Sequence, residues 1–128
     1  MTEQSTTPDT NISLEDINAL IVDSIRDIKG KEIVQLDMRG LDDAPTDFFI
    51  ICSGESNTQM RAIANNVNKR LKQEADQYPS SKEGNESDTW ILVDYFNTVV
   101  HIFHPDARKF YEIEELWGDA EVTEYQDI

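Results

Sequence analysis

Apolar side chains recur at three- and four-residue spacing in two segments of the chain, which predicts two amphipathic helices. The first begins after Ser13, where Asp16 three residues later gives a capping-box pattern, and it ends at Gly30. The second begins after Ser56, with Gln59 in the corresponding capping position. Each helix is expected to turn one apolar stripe toward a core. The predicted stripe of the second helix is Met60, Ile63, Ala64, Val67 and Leu71.

Four further segments have the pattern of β-strands. Residues 32–38 alternate between apolar and polar side chains, which predicts a strand with one buried face. Residues 48–53 begin with five consecutive apolar side chains and predict a strand that is buried on both faces at the centre of a sheet. Residues 89–94 and 98–103 are rich in β-branched and aromatic side chains and are separated by three residues, which predicts an antiparallel hairpin.

A last helix is predicted to begin at Pro105, because proline is well suited to the first helical turn. Its apolar positions are Phe110, Ile113 and Trp117, and Gly118 is expected to end it. The order of elements is therefore helix, strand, strand, helix, strand, strand, helix. This order predicts an α/β (α+β) fold in which helices flank a mixed β-sheet of about four to five strands.

The same pattern suggests where the domain begins and ends. Residues 1–11 are polar and without periodicity, and they are predicted to be a disordered N-terminal tail. Residues 12–120 are predicted to form a single domain, within which the polar segment 79–88 is expected to be an exposed loop. Residues 121–128 are predicted to be an acidic C-terminal tail.

Charge is the composition feature that restricts function most. The chain has 128 residues, with 26 acidic against 11 basic side chains and a formal net charge of −15. Binding to nucleic acid depends on cations that neutralise phosphates, so extensive direct contact with nucleic acid is not expected. A protein partner is favoured instead, although acidity that only maintains solubility explains the same charge.

The single cysteine, Cys52, cannot form an intramolecular disulfide and is expected to pack in the core. No targeting segment and no apolar run of membrane-spanning length is recognised in the sequence. The expected location is therefore the cytoplasm.

Residues that could support chemistry are present, but their spacing argues against a catalytic or metal site. His101 and His104 lie three apart at a strand end, where their side chains point in different directions. The Gly54 turn with Asp47 or Asp94 is the basis of an alternative, a nucleotidyltransferase-like enzyme or nucleotide-binding protein. That chemistry normally uses two acids two residues apart on one strand, and this pair is absent from the sequence. The sequence predicts no catalytic residue, no cofactor and no metal.

Large aromatic side chains occur where the predicted structure does not obviously require them: Trp90, Tyr95 and Phe96 at the hairpin, and Tyr111 and Trp117 near the end. Aromatic residues are enriched in protein interfaces because they bury much surface at a low entropic cost. They also fill cores, so the sequence leaves both interpretations open.

Three segments, taken together, resemble the ribosomal silencing factor (Iojap-like, RsfS) family. They are residues 47–59, residues 90–95 with 99–103, and residues 108–120, and the likeness extends over about residues 14–120. The resemblance implies a fold similar to nucleotidyltransferases but without their catalytic acids. One departure is the turn after the Asp94–Tyr95 pair, where many relatives have Gly-Asp and this chain has Phe96 and Asn97.

The resemblance also implies a function and a partner. Members of the family bind ribosomal protein uL14 on the large ribosomal subunit, block joining of the small subunit and lower translation when nutrients are scarce. Some members form homodimers, so a second copy of the chain is an alternative partner. The contact residues that the resemblance implies are Trp90, Asp94, Tyr95, His101, Tyr111, Leu116 and Trp117.

Overall fold

The computed structural model of the protein describes residues 12–84 and 89–127. The predicted disordered tail, residues 1–11, lies outside the described residues. In chain order the elements are α1 (Leu14–Asp27), β1 (Lys31–Asp37), β2 (Phe48–Ser53), α2 (Asn57–Ala75), β3 (Ser81–Gly84), β4 (Trp90–Asp94), β5 (Thr98–Phe103), α3 (Pro105–Tyr111), α4 (Ile113–Leu116) and β6 (Glu121–Glu124).

The strands form one six-stranded sheet in the order β3-β4-β5-β2-β1-β6. β2 and β5 run parallel, and the remaining neighbouring pairs are antiparallel. The predicted α/β fold class and hairpin are confirmed, and β2 lies inside the sheet with all six of its residues buried. The sheet has more strands than the four to five that the sequence pattern indicated.

The two long helices begin where the capping patterns placed them. The Ser13 hydroxyl accepts the backbone N–H of Asp16 at 3.0 Å, and the Ser56 hydroxyl accepts that of Gln59 at 3.0 Å. The Gln59 amide also donates to the backbone oxygen of Ile28 at 3.0 Å, which ties the start of α2 to the end of α1. Side-chain caps therefore fix both the start of each helix and their relative position. Neither helix, nor any other in the described ranges, is long and apolar enough to cross a bilayer.

Helices α1 and α2 cover one face of the sheet and form the larger part of the core. Their apolar stripes pack on alternate residues of the central strands, and the predicted apolar stripe of α2 is buried there. Cys52 belongs to this layer, and burial raises the pKa of its thiol to about 12, so the cysteine is a core residue. The side chains that α1 and α2 contribute include Ile21, Val22, Ile25, Met60, Ile63, Ala64, Val67 and Leu71.

Residues 121–127 are not the tail that the sequence pattern indicated. Glu121–Glu124 forms β6, which pairs antiparallel with β1 at the sheet edge. Beyond the strand, the Tyr125 N–H donates to the Ile33 oxygen at 2.9 Å, and the guanidinium of Arg26 lies 5.6 Å from the centre of the Tyr125 ring. The segment carries too few apolar residues for alternation to be visible, and the open edge of β1 is what orders it.

The predicted loop at residues 79–88 is also partly a strand. Ser81–Gly84 forms β3, which pairs with β4 at the opposite edge of the sheet. Three of its four residues are polar, the fourth is Gly84, and most are exposed, so the sequence contains no pattern of burial that would reveal a strand.

Candidate protein-interaction surface

The second face of the sheet has a smaller cover, made of α3, α4 and the connection between β1 and β2. Under this cover lie Leu36, Phe49, Ile51 and Phe103, all buried. Around it, the side chains of Trp90, Leu92 and Trp117 pack against the cluster but remain partly exposed. The cover on this face therefore leaves large aromatic and aliphatic groups partly accessible.

The cover consists of two short helices because the predicted last helix breaks at Glu112. This residue has a left-handed backbone with φ of 46°, and its N–H closes α3 on the Arg108 oxygen at 2.9 Å. The prediction of a single helix that ends at Gly118 is therefore wrong. Ile113 is buried as predicted, but Phe110 is 80% exposed instead of facing the core.

Arg108 attaches both short helices to the sheet. Its Nη1 donates to the backbone oxygen of Glu32 at 2.6 Å and to the Ser53 hydroxyl at 2.9 Å. Its Nη2 makes an ion pair with Glu114 at 2.9 Å, and only 10% of the arginine side chain is exposed. One guanidinium therefore connects β1, β2, α3 and α4 through charge-assisted hydrogen bonds.

Aromatic rings run in a continuous series across this face. The Trp90 ring stacks on Phe103 with centroids 5.0 Å apart and lies 4.9 Å from the Tyr111 ring. Phe49 makes edge contacts with His101 at 4.4 Å and with Trp117 at 6.3 Å. Contacts of this kind hold rings in fixed orientations, so the exposed edges of the series form a preorganised surface.

His101, which was predicted to be a contact residue, lies beneath this series and supports it from below. Its side chain is buried, with 3% of the residue exposed, and its Nδ1 accepts the indole N–H of Trp90 at 3.1 Å. Burial lowers the pKa of His101 to about 4, so the ring is neutral near pH 7 and can accept this hydrogen bond. Its role is to orient Trp90.

Lowering the pH from 7 to 5 is expected to reduce the free energy of unfolding by about 2 kcal/mol through His101. The ordinary pKa of 6.5 applies to the unfolded chain, whereas the folded pKa is about 4. The stabilisation is therefore present above about pH 6.5 and is lost as the pH falls toward 4, because the unfolded chain then binds more protons.

Urea unfolding at the two pH values measures this difference, and His101→Gln is the comparison because it keeps an acceptor for Trp90 without titrating. If the variant shows the same dependence on pH as the original chain, His101 is not the group responsible.

Two other predicted contact residues lie away from the aromatic series. Tyr95 is 6% exposed and points into the α1–α2 layer, where its hydroxyl donates to Asn68 and burial raises its pKa. Asp94 accepts the N–H of Phe96 at 2.7 Å and so closes the hairpin turn. Phe96 itself has a left-handed backbone with φ of 73° in that turn. Tyr95 is therefore a core residue, and Asp94 shapes the turn.

Among the remaining predicted contact residues, the Trp90 and Tyr111 rings lie 4.9 Å apart, and Leu116 and Trp117 follow one another at the end of α4. We call them, with Phe110, the α3–α4 surface: Trp90, Phe110, Tyr111, Leu116 and Trp117. Phe110 and Leu116 are 80% and 76% exposed, and Tyr111 is 46% exposed. The sequence pattern placed Phe110 on the apolar face of a single helix, and nothing in the neighbouring residues distinguishes it from a core residue.

The residues of the alternative enzyme site are not brought together. Gly54 follows the carboxyl end of β2, whereas Asp47 precedes the amino end of that strand. Asp94 also lies near the amino end of β2, because it pairs with Val99, which in turn pairs with Phe49. The length of the strand separates the two ends by roughly 20 Å.

The histidine pair does not form a metal site either. His104 caps α3, with its Nδ1 3.3 Å from the N–H of Asp106. Across residues 12–84 and 89–127, no three His, Cys, Asp or Glu side chains are grouped so that they could hold a metal ion.

Comparison with known proteins agrees with this architecture. The sequence pattern of a family described as "Ribosomal silencing factor during starvation" matches residues 11–128. A Halalkalibacterium halodurans protein named "Ribosomal silencing factor RsfS" is 38% identical over 117 residues, which are 91% of this chain and 98% of that protein. A crystal structure of a Chromobacterium violaceum protein matches with a TM-score of 0.78 and 39% identity, covering 84% of this chain and 88% of that one. A mouse protein named "Mitochondrial assembly of ribosomal large subunit protein 1" is 37% identical over 75 residues, 56% of this chain and 32% of that protein.

Proposed function

This chain belongs to the ribosomal silencing factor (RsfS) family, and from that premise we propose that it represses translation by binding the large ribosomal subunit through ribosomal protein uL14. Bound there, the protein occupies the space that the small subunit needs and prevents joining of the subunits. It acts in the cytoplasm when nutrients are limiting, and it needs no cofactor.

Steric exclusion makes the extent of repression depend on occupancy. A large subunit that carries the protein cannot accept a small subunit, and it becomes competent again when the protein dissociates. The fraction of silenced subunits is then set by the concentration of the protein relative to its dissociation constant. No residue of the chain has to perform a chemical step.

The α3–α4 surface is the observation that carries the proposal. It places Phe110, Tyr111 and Leu116 in water on a protein whose net charge is −15. Exposed aromatic clusters on a rigid support are typical of binding hot spots, and negative charge favours the approach of a basic protein. Asp94, Tyr95 and His101 contribute by shaping or supporting the surface.

The names of the relatives support the coarser part of this proposal, which is a role at the ribosome. The bacterial relatives are named as ribosomal silencing factors, and the mouse protein is named for assembly of the large ribosomal subunit. A ribosomal role is common to these names, and the large subunit appears in one of them. The partner uL14 and the block to joining are the finer part of the proposal.

Binding and joining are tested together with purified ribosomal subunits. We expect the protein to co-sediment with large but not small subunits, to bind isolated uL14, and to reduce the 70S fraction in proportion to the bound protein. Sedimentation velocity of the protein alone shows whether a homodimer competes with this binding. If the protein binds neither the large subunit nor uL14, or binds without reducing 70S formation, the proposal is wrong.

A further inference from the structure

A groove borders the α3–α4 surface between α4 and the connection from β1 to β2. It has a volume of about 600 Å³, and its apolar lining is Leu41, Leu116 and Trp117. Leu116 is 76% exposed, whereas Leu41 and Trp117 are partly buried against the core. The groove is therefore continuous with the α3–α4 surface, because Leu116 and Trp117 belong to both.

The polar lining of the groove is entirely acidic. Asp42 and Asp43 contribute from the β1–β2 connection, and Glu115 and Asp119 from α4 and the turn after it. None of these four carboxylates makes an ion pair within the described ranges. The neighbouring Arg39 makes its ion pairs with Asp37 at 2.8 Å and with Glu15 at 3.5 Å, and with none of the four groove carboxylates.

We propose that this groove binds an arginine-bearing basic segment of the partner protein. This inference rests on the proposed function and specifies which chemistry the partner presents. The methylene stem and planar guanidinium of arginine fit an apolar lining that contains an indole ring, because arginine stacks on aromatic faces more readily than lysine does. The surrounding carboxylates complete the site by accepting hydrogen bonds from the guanidinium.

Charge and size separate this occupant from the other classes of ligand. Nucleic acid is disfavoured because four uncompensated carboxylates repel phosphates. A metal ion is disfavoured because no group of three or more suitable ligands lies together among the residues that the structure describes. The volume of about 600 Å³ lies in the range of about 300–1,000 Å³ that is usual for ligand pockets, so the groove admits more than one side chain.

The groove also predicts a particular dependence on salt. Attraction between the carboxylates and a cationic segment is screened at high ionic strength, whereas the apolar contacts of the α3–α4 surface are not. Binding to large subunits is therefore expected to weaken between about 50 and about 300 mM KCl, with the groove responsible for most of that change.

The test compares two triple variants that change net charge equally. The groove variant is Asp42→Asn, Asp43→Asn and Asp119→Asn, and the control variant is Asp16→Asn, Glu55→Gln and Glu124→Gln, at exposed positions outside the groove and the α3–α4 surface. At low salt the groove variant should bind purified large subunits about tenfold more weakly and lose most of the salt dependence, whereas the control changes less than about threefold. Equal behaviour of the two variants overturns the inference.

A second measurement separates failure of the groove from failure of the proposed function. A blocked tri-arginine peptide is titrated into the full chain while the indole N–H resonance of Trp117 is followed by NMR. We expect a saturable shift in the original chain and in the control variant, but not in the groove variant. The absence of any shift overturns the inference whatever the ribosome does. A shift without binding to large subunits supports the groove and rejects the ribosomal partner.

Discussion

Replacing Arg108 with methionine is expected to lower the free energy of unfolding by about 3 kcal/mol. Methionine fills much of the same space but leaves the Ser53 hydroxyl, the Glu32 oxygen and Glu114 without the donors that they now have. Partly buried acceptors that lose a charged donor are costly, and two of these three, Ser53 and Glu114, are partly buried. Urea unfolding at pH 7 measures the effect.

The adjacent Lys109 provides a matched control, because it has the same charge and is exposed. Lys109→Met should change the free energy of unfolding by less than about 0.5 kcal/mol. Arg108→Lys should fall between the original chain and Arg108→Met, since lysine keeps the charge but lacks the forked geometry. Equal stability of Arg108→Met and Lys109→Met would show that the arginine does not hold the helices in place.

Loss of Arg108 should also weaken partner binding by the protein that remains folded. Arg108 fixes α3 and α4 against β1 and β2, so its removal allows the α3–α4 surface to move. Binding then includes the entropic cost of reordering that surface. Measured well below the unfolding transition, the dissociation constant for large subunits should be higher for Arg108→Met than for Lys109→Met.

The double variant Phe110→Ala and Leu116→Ala is expected to weaken binding to large subunits by more than about 100-fold, or about 3 kcal/mol. These two side chains are 80% and 76% exposed, so truncating them should have little effect on the fold. In a complex they would bury apolar area at the centre of the contact, where loss of a side chain is most costly. Trp90 is a less clean test because its ring also stacks on Phe103.

The control for this variant is Tyr78→Ala and Phe96→Ala, which removes two similarly exposed aromatic rings outside the α3–α4 surface. Titration of labelled protein with large subunits gives both dissociation constants, and circular dichroism confirms that both variants are folded. Comparable affinities for the two double variants would move the binding site away from α3 and α4.

Local signals in the sequence were sufficient where neighbouring residues decide the structure. The hydroxyls of Ser13 and Ser56 bond to backbone groups three residues away, so both helix starts are visible in short segments. The run of residues 48–53 likewise predicts burial on two faces, because no polar side chain interrupts it before Ser53.

Signals that depend on distant partners were not visible. β6 is ordered by pairing with β1, whose residues lie about 90 positions earlier in the chain. The break at Glu112 puts a non-glycine residue in a left-handed conformation that its local sequence does not favour. Arg108 bonds to an oxygen that is 76 residues away, and its role could not be read from residues 105–118.

What the sequence determined by itself is therefore the family, the fold class, the main helices and strands, and the acidic character that favours a basic partner. Alternation along β4 identifies Trp90, Leu92 and Asp94 as residues on one face, but it does not say which element covers that face. Only the tertiary structure decided that His101 lies beneath Trp90, that Tyr95 is buried, and that Phe110 and Leu116 face water. The physical reason is that burial results from contacts between segments far apart in the chain. Periodicity in the sequence indicates only which nearby residues lie on the same face of a helix or strand.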